Sequence, residues 1–133
     1  QRAKMAIRKE GRQSRTAETF YEVIQNYQKY TTMRLKPRTG RTHQIRVHLA
    51  HIQCPVLCDR LYSGAKEVDE ASLLGWSDDT GASAVILSRQ ALHAAKLTLC
   101  HPDGGEKMTF TAPLPADMER TIECLQRRLE NRE

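Results

Sequence analysis

The run from Arg38 to Leu49 (Arg-Thr-Gly-Arg-Thr-His-Gln-Ile-Arg-Val-His-Leu) concentrates the residues best suited to chemistry. Arg38, Arg41 and Arg46 stand beside Gly40, His43 and His48 where a strand-like segment gives way to a helical one. The first turn of a helix leaves backbone N–H groups unpaired, and its dipole end is positive. Guanidinium groups added there form a platform for a phosphate or for a buried carboxylate. The same run also suits a helix start with a basic collar and no ligand.

The flanking elements must hold that run in place. Residues 17–27 are rich in aromatic and β-branched types and read as a strand. In residues 30–36, Met33 and Leu35 alternate with Thr32, Arg34 and Lys36, which is the pattern of a half-buried strand. Pro37 ends it and Gly40 supplies a turn. From about Thr42, a candidate N-cap, to Ile52 the spacing of Ile45, Leu49 and Ile52 predicts a helix with one apolar stripe. Arg46 flanks that stripe, while Gln44, His48 and His51 fall on another arc. Residues 53–64 read as an irregular link around Pro55 and Gly64.

Outside this centre the pattern is plainer. Residues 1–15 read as a basic arm or loop, and residues 65–88 as an acidic surface insertion with a short helix near 67–74. Residues 91–100 end in a strand. The turn signal His101-Pro102-Asp103-Gly104-Gly105 leads into a returning strand with Met108 and Phe110 on one face. A helix follows over 116–130, with Met118, Ile122, Leu125 and Leu129 on its stripe. The expected class is α+β, a mainly antiparallel mixed sheet with flanking helices.

Charge is divided unevenly along the chain. Residues 1–60 carry a net +9 and residues 61–133 a net −4, within a total of +5. A basic half of this kind suits a polyanion, nucleic acid first, or serves as a solvated surface. No apolar run approaches the roughly 20 residues of a membrane helix, so no membrane partner is expected. Cys54, Cys58, Cys100 and Cys124 read as reduced thiols of a cytoplasmic protein. The chain opens Gln1-Arg2, and we expect it to be cut from a longer protein.

Three further groups compete for attention. His48, His51, Cys54 and Cys58 are competent zinc ligands, but their spacing is compressed against common zinc modules, and no metal is expected. Asp59-Arg60 reads as a local ion-pair corner or a site element. His93 and Trp76 read as structural packing.

Four blocks carry a resemblance. Thr39 to Leu49 resembles the signature of RluA/RluD-type pseudouridine synthases. The blocks Cys54 to Gly64, Gln90 to Leu97 with His101-Pro102, and Phe110 to Met118 follow in the order seen in that family. The resemblance implies the C-terminal portion of a pseudouridine synthase catalytic domain over residues 1–133. It implies isomerisation of uridine in ribosomal or transfer RNA, without a cofactor. It also implies that Arg46 pairs with a catalytic aspartate, and that Arg38, Arg41, Thr42 and His43 support the site or the RNA backbone. The family's H-R-L-D-x-x-T-S-G motif, which holds that aspartate, does not occur in this chain. Cys58 stands where the family commonly has glycine. The implied partners are RNA and the missing N-terminal half of the domain, with apolar surface left open to self-association. A non-catalytic RNA-binding module and a small zinc-binding nucleic-acid protein are the alternatives.

Overall fold

The computed structural model describes residues 2–7, 17–40, 43–77 and 80–131. The class is α+β, with every strand pair among the described residues antiparallel. Among the described residues the strands make three separate small sheets instead of one. The first holds β1 (Arg2–Ile7), β2 (Ala17–Asn26) and β3 (Thr31–Pro37) in sequence order. Tyr21 opposes Leu35 and Val23 opposes Met33 across β2 and β3. The turn between them closes where the Gln28 N–H donates to Asn26 Oδ1 at 2.8 Å.

The N-terminal basic stretch departs from its expected form. Residues 2–7 are a strand, not an arm, paired with β2 from Arg2–Glu22 to Ile7–Ala17. Charge and weak alternation mask this in the sequence, whereas the open edge of β2 offers a full row of backbone partners. Residues 8–15 lie outside the described residues. Lys4 bonds Glu18 at 2.8 Å, so part of the basic excess is met within the sheet.

Helix α1 (Gln44–His51) lies on this sheet. Buried Leu49 packs with Val56, and Tyr21, Met33, Leu35 and Ile45 surround them. Ile52 was expected on the same stripe. It falls at the C-cap, beyond the sheet, and is 42% exposed.

The main core lies elsewhere and corrects a second expectation. Residues 65–88 form β4 (Val68–Asp69), α2 (Glu70–Leu74) and β5 (Val85–Leu87). Val68, Leu73 and Leu87 from this segment join Tyr27, Cys58, Cys124 and Leu125 in the largest buried cluster. It is therefore a core element, not a surface insertion. Its elements are too short for a periodic pattern to show, so the exposed acidic and small residues dominate the sequence signal. Asp69 caps α2 by accepting from the Ser72 N–H at 2.9 Å. Gly75 ends α2 at φ +87°, where a Cβ would lie 2.8 Å from Arg128 Cζ. Trp76 follows and is 60% exposed, so it does not serve as packing.

Helix α3 (Ala116–Glu130) spans the expected residues. Its most buried positions are Thr121, Cys124, Leu125 and Arg128, so the buried face is rotated from the purely apolar stripe. The fork of Arg89 on Asp117, at 2.9 and 2.8 Å, ties the first turn of α3 to the segment after β5. The last sheet is the hairpin of β6 (Lys96–Cys100) and β7 (Lys107–Thr111). Leu97, Leu99 and Phe110 are exposed on it. His93 Nε2 lies 3.1 Å from the Ala112 carbonyl oxygen and tethers the hairpin base. No helix among the described residues is long and apolar enough to cross a membrane.

Truncating Leu73 tests the core assignment. Leu73→Ala is expected to lower unfolding stability by about 2–5 kcal/mol, the range for a buried leucine. Urea denaturation followed by circular dichroism reads the change. A loss within about 0.5 kcal/mol would restore the surface-insertion description.

Candidate active site

The polypeptide around α1 is pinned by a buried polar clamp. Gln44, the first helical residue, donates through Nε2 to the Glu18 carbonyl oxygen at 2.8 Å and to Thr19 Oγ1 at 3.0 Å. Its Oε1 accepts from the Thr39 hydroxyl at 2.6 Å. Thr19 Oγ1 also lies 2.7 Å from His48 Nδ1, one turn further along the helix. Thr19, Gln44 and His48 are all buried. Burial pushes the His48 imidazole toward its neutral form. These contacts fix the rotation of α1 about its axis. They occupy the arc the sequence had set apart from the apolar stripe. Hydrogen bonding to β2 makes that arc an inward face.

Rotation of α1 places Arg46 over a buried carboxylate. Arg46 Nε bonds Asp59 Oδ2 at 2.7 Å, and Nη2 bonds Oδ1 at 2.8 Å. The Asp59 side chain has no exposure to solvent, and that of Arg46 retains 17%. Oδ1 also accepts from the backbone N–H groups of Leu61 and Tyr62, at 3.2 and 3.3 Å. The Asp59 carbonyl oxygen accepts from Ser63 through both its N–H and its hydroxyl. The link 53–64 thus winds around one aspartate. The Arg46 hydrogen bonds, opposed by burial and aided by those N–H groups, hold the Asp59 carboxyl below the usual carboxylate range. The same bonds raise the Arg46 pKa above its ordinary value.

Cys58 precedes this aspartate with φ +61°, in the left-handed region that favours glycine. Its side chain is buried, with Sγ 3.7 Å from the Leu87 carbonyl oxygen, and burial pushes the thiol pKa up. The cysteine therefore exchanges backbone ease for a place in the core.

Tyr62 completes the arrangement. Its ring lies 5.2 Å from Arg46 Cζ, within cation–π range. Its hydroxyl is 3.3 Å from His43 Nδ1, and the two rings meet edge to face. His43 sits at the N-cap of α1 at φ +54°, without a side-chain cap bond. The N-cap position, expected at residue 42, is therefore residue 43. A cleft of about 220 Å³ opens beside Thr39, Gly40, His43, Gln44 and Arg46.

Of the sequence candidates, His43 and Arg46 come together here through Tyr62. Arg38 does not join them. Its guanidinium lies over the Phe20 ring at 5.9 Å and 3.9 Å from Glu18. Arg41 and Thr42 lie outside the described residues. The carboxylate partner of Arg46 was expected from outside this chain, yet the structure supplies one inside it, Asp59. Of the two readings of Asp59-Arg60, a local ion-pair corner or a site element, the local corner does not form, because Asp59 pairs with Arg46. The four candidate zinc ligands do not converge. His48 faces Thr19, Cys58 faces Leu87, and Cys54 and His51 are exposed. Among the described residues no three His, Cys, Asp or Glu side chains are grouped to hold a metal.

Comparison with known proteins meets the chain at this site. The family described as RNA pseudouridylate synthase matches residues 1–51, which include β2, β3 and all of α1. The ribosomal large subunit pseudouridine synthase D of Xanthomonas campestris is 39% identical over 125 residues, 94% of this chain. The protein of that name from Haemophilus influenzae is 44% identical over 110 residues, 83% of this chain. The chain is similar to the RNA pseudouridylate synthase family through residues 1–51, and to those two synthases over most of its own length. It spans about a third of those relatives' length, 36% and 33% respectively. The human RNA Pseudouridylate Synthase Domain Containing 4 structure has the same fold. It matches with a TM-score of 0.66 at 22% identity, over 95% of this chain and 56% of that one. The family match includes the helix bearing Arg46, and folding brings the link bearing Asp59 into contact with it.

Two measurements test this description. Asp59→Asn keeps the size of the side chain and removes its charge. Because the native carboxyl titrates below its unfolded value of about 3.9, its stabilisation is complete above that pH and lost as pH falls further. The melting temperature of Asp59→Asn is expected to lie below that of the unaltered chain at neutral pH. The gap should close in acid, and a gap insensitive to acid would assign the loss to packing instead. Separately, Gln44→Leu leaves Thr39 and the Glu18 carbonyl without their shared partner. A loss of about 1–3 kcal/mol is expected in denaturant titration. A neutral substitution would remove Gln44 from the clamp.

Proposed function

We propose that this chain contributes the arginine side of a pseudouridine synthase active site acting on RNA, and on ribosomal RNA first. The observation that carries the reading is the Arg46–Asp59 fork. It engages Nε and Nη2, leaving Arg46 Nη1 without a partner among the described residues. A guanidinium so oriented, beside an open cleft, is prepared to meet a second carboxylate. The family resemblance supplies that carboxylate as a catalytic aspartate from the upstream motif absent here. The chain then stands as the C-terminal portion of the catalytic domain, completed by its N-terminal half in the cytoplasm.

In this scheme Arg46 keeps the incoming aspartate ionised and oriented, and Asp59 and Tyr62 keep Arg46 in place. The target uridine is turned out of its stack to reach the aspartate. The bond from ribose to uracil N1 breaks, the uracil turns, and a bond from ribose to C5 forms. The C5 proton leaves to solvent and N1 gains one. No external reductant, oxidant or cofactor is required by that balance. Arg38, Arg41, Thr42 and His43 would border the cleft or the RNA backbone.

RNA binding without turnover by residues 1–133 alone is a second reading. It is favoured by the sole carboxylate found on Arg46 among the described residues, since Asp59 is buried and already bonded. The two separate in one assay, tritium release from RNA labelled at uridine C5. A longer protein carrying the upstream motif is expected to release tritium, and residues 1–133 alone to be silent. Arg46→Ala in the longer protein should reduce turnover at least about a hundredfold, comparable to loss of an oriented electrostatic contact, with RNA binding largely kept. Near-normal turnover in that variant would sink the assignment.

A further inference from the structure

A second cleft adjoins the first, and Arg46 and Leu92 line both. It has a volume of about 450 Å³, within the range of small-ligand sites. Arg60, Ser88, Arg89 and Gln90 supply its polar wall. Every charged side chain on that wall is an arginine. The charges are not equivalent. Arg46 is neutralised by Asp59, and Arg89 by Asp117. Arg60 is exposed and has no carboxylate partner among the described residues. Its backbone is held because the following residues 61, 62 and 63 all bond to the Asp59 side chain or carbonyl.

We infer that this second cleft holds a phosphodiester of the RNA strand next to the flipped uridine, with Arg60 as its charged contact. The inference rests on the RNA reading above and adds the group recognised. A wall of guanidinium, hydroxyl and amide donors without a facing carboxylate suits an anion. Sharing Arg46 and Leu92 sets the two clefts side by side, as a base and a neighbouring phosphate of one strand would require. Ser88 and Gln90 offer neutral donors beside Arg60, while the fork on Asp117 keeps Arg89 as a fixed part of the wall. Arg60 thereby contributes position and affinity and carries no base choice.

The test uses residues 1–133 and a short fluorescent oligouridylate, followed by anisotropy across a salt series. Arg60→Gln removes the free charge. Arg120→Gln removes an equal charge from an exposed position of α3. Arg60→Gln is expected to weaken binding about three- to tenfold and to lower the salt slope by about one contact. Arg120→Gln should leave both unchanged. Equal effects of the two variants would reduce Arg60 to general surface charge and overturn the site. So would a chain that fails to bind the oligouridylate. The isomerase reading is judged separately by tritium release in the longer protein. An Arg60-dependent affinity without isomerisation would retain this site and reject that reading.

Discussion

A carboxylate wholly removed from water must be met by a cation and by hydrogen-bond donors, and Asp59 imposes that demand on its surroundings. Its partners come from two places distant in sequence. The cation comes from α1, and the N–H groups come from the link that carries the aspartate itself. Meeting both at once fixes how the link must wind and how α1 must be turned. The clamp of Gln44, Thr19 and His48 determines that turn from the opposite side of the helix. The site is therefore held between a charged contact on one flank and neutral buried contacts on the other.

This division explains the chemical economy of the centre. An arginine with one edge bound and one edge open is both anchored and available. Tyr62 adds a third restraint by lying against the guanidinium and reaching His43. The flanking anion cleft grows from the same link, since Arg60 is carried by the turn that Asp59 organises. Catalysis and strand positioning would then depend on one short segment, in which Cys58 accepts a left-handed backbone to enter the core.

Much of the framework was legible in the sequence because its signals are strong and local. Aromatic and β-branched composition located β2, alternation located β3, the glycine-rich turn located the last hairpin, and apolar spacing located α3 over its observed residues. The family resemblance singled out Arg46. What was hidden has a common physical cause. The strand β1 is defined by the partner edge it pairs with, which leaves little mark on its own residues. Residues 68–74 and 85–87 contribute core through elements shorter than one readable period. Gln44 and His48 appear polar on a helical wheel, and only the carbonyl of Glu18 and the hydroxyl of Thr19 make their arc an inward one. The aspartate that Arg46 grips was visible, but adjacency pointed to Arg60. Backbone winding directs the carboxylate the other way.

The β6–β7 hairpin gives the molecule two rates of opening. Its strands bond to each other, its side chains are largely exposed, and its base is held by the His93 and Ala95 contacts to Ala112. Little buried surface is lost when it parts, so its amide protons exchange through a low-energy local unfolding. Residues around Leu73, Cys124 and Leu125 lose protection only when the main core comes apart. The hairpin is thus expected to open at lower free energy than the main core, without disturbing the Arg46–Asp59 fork.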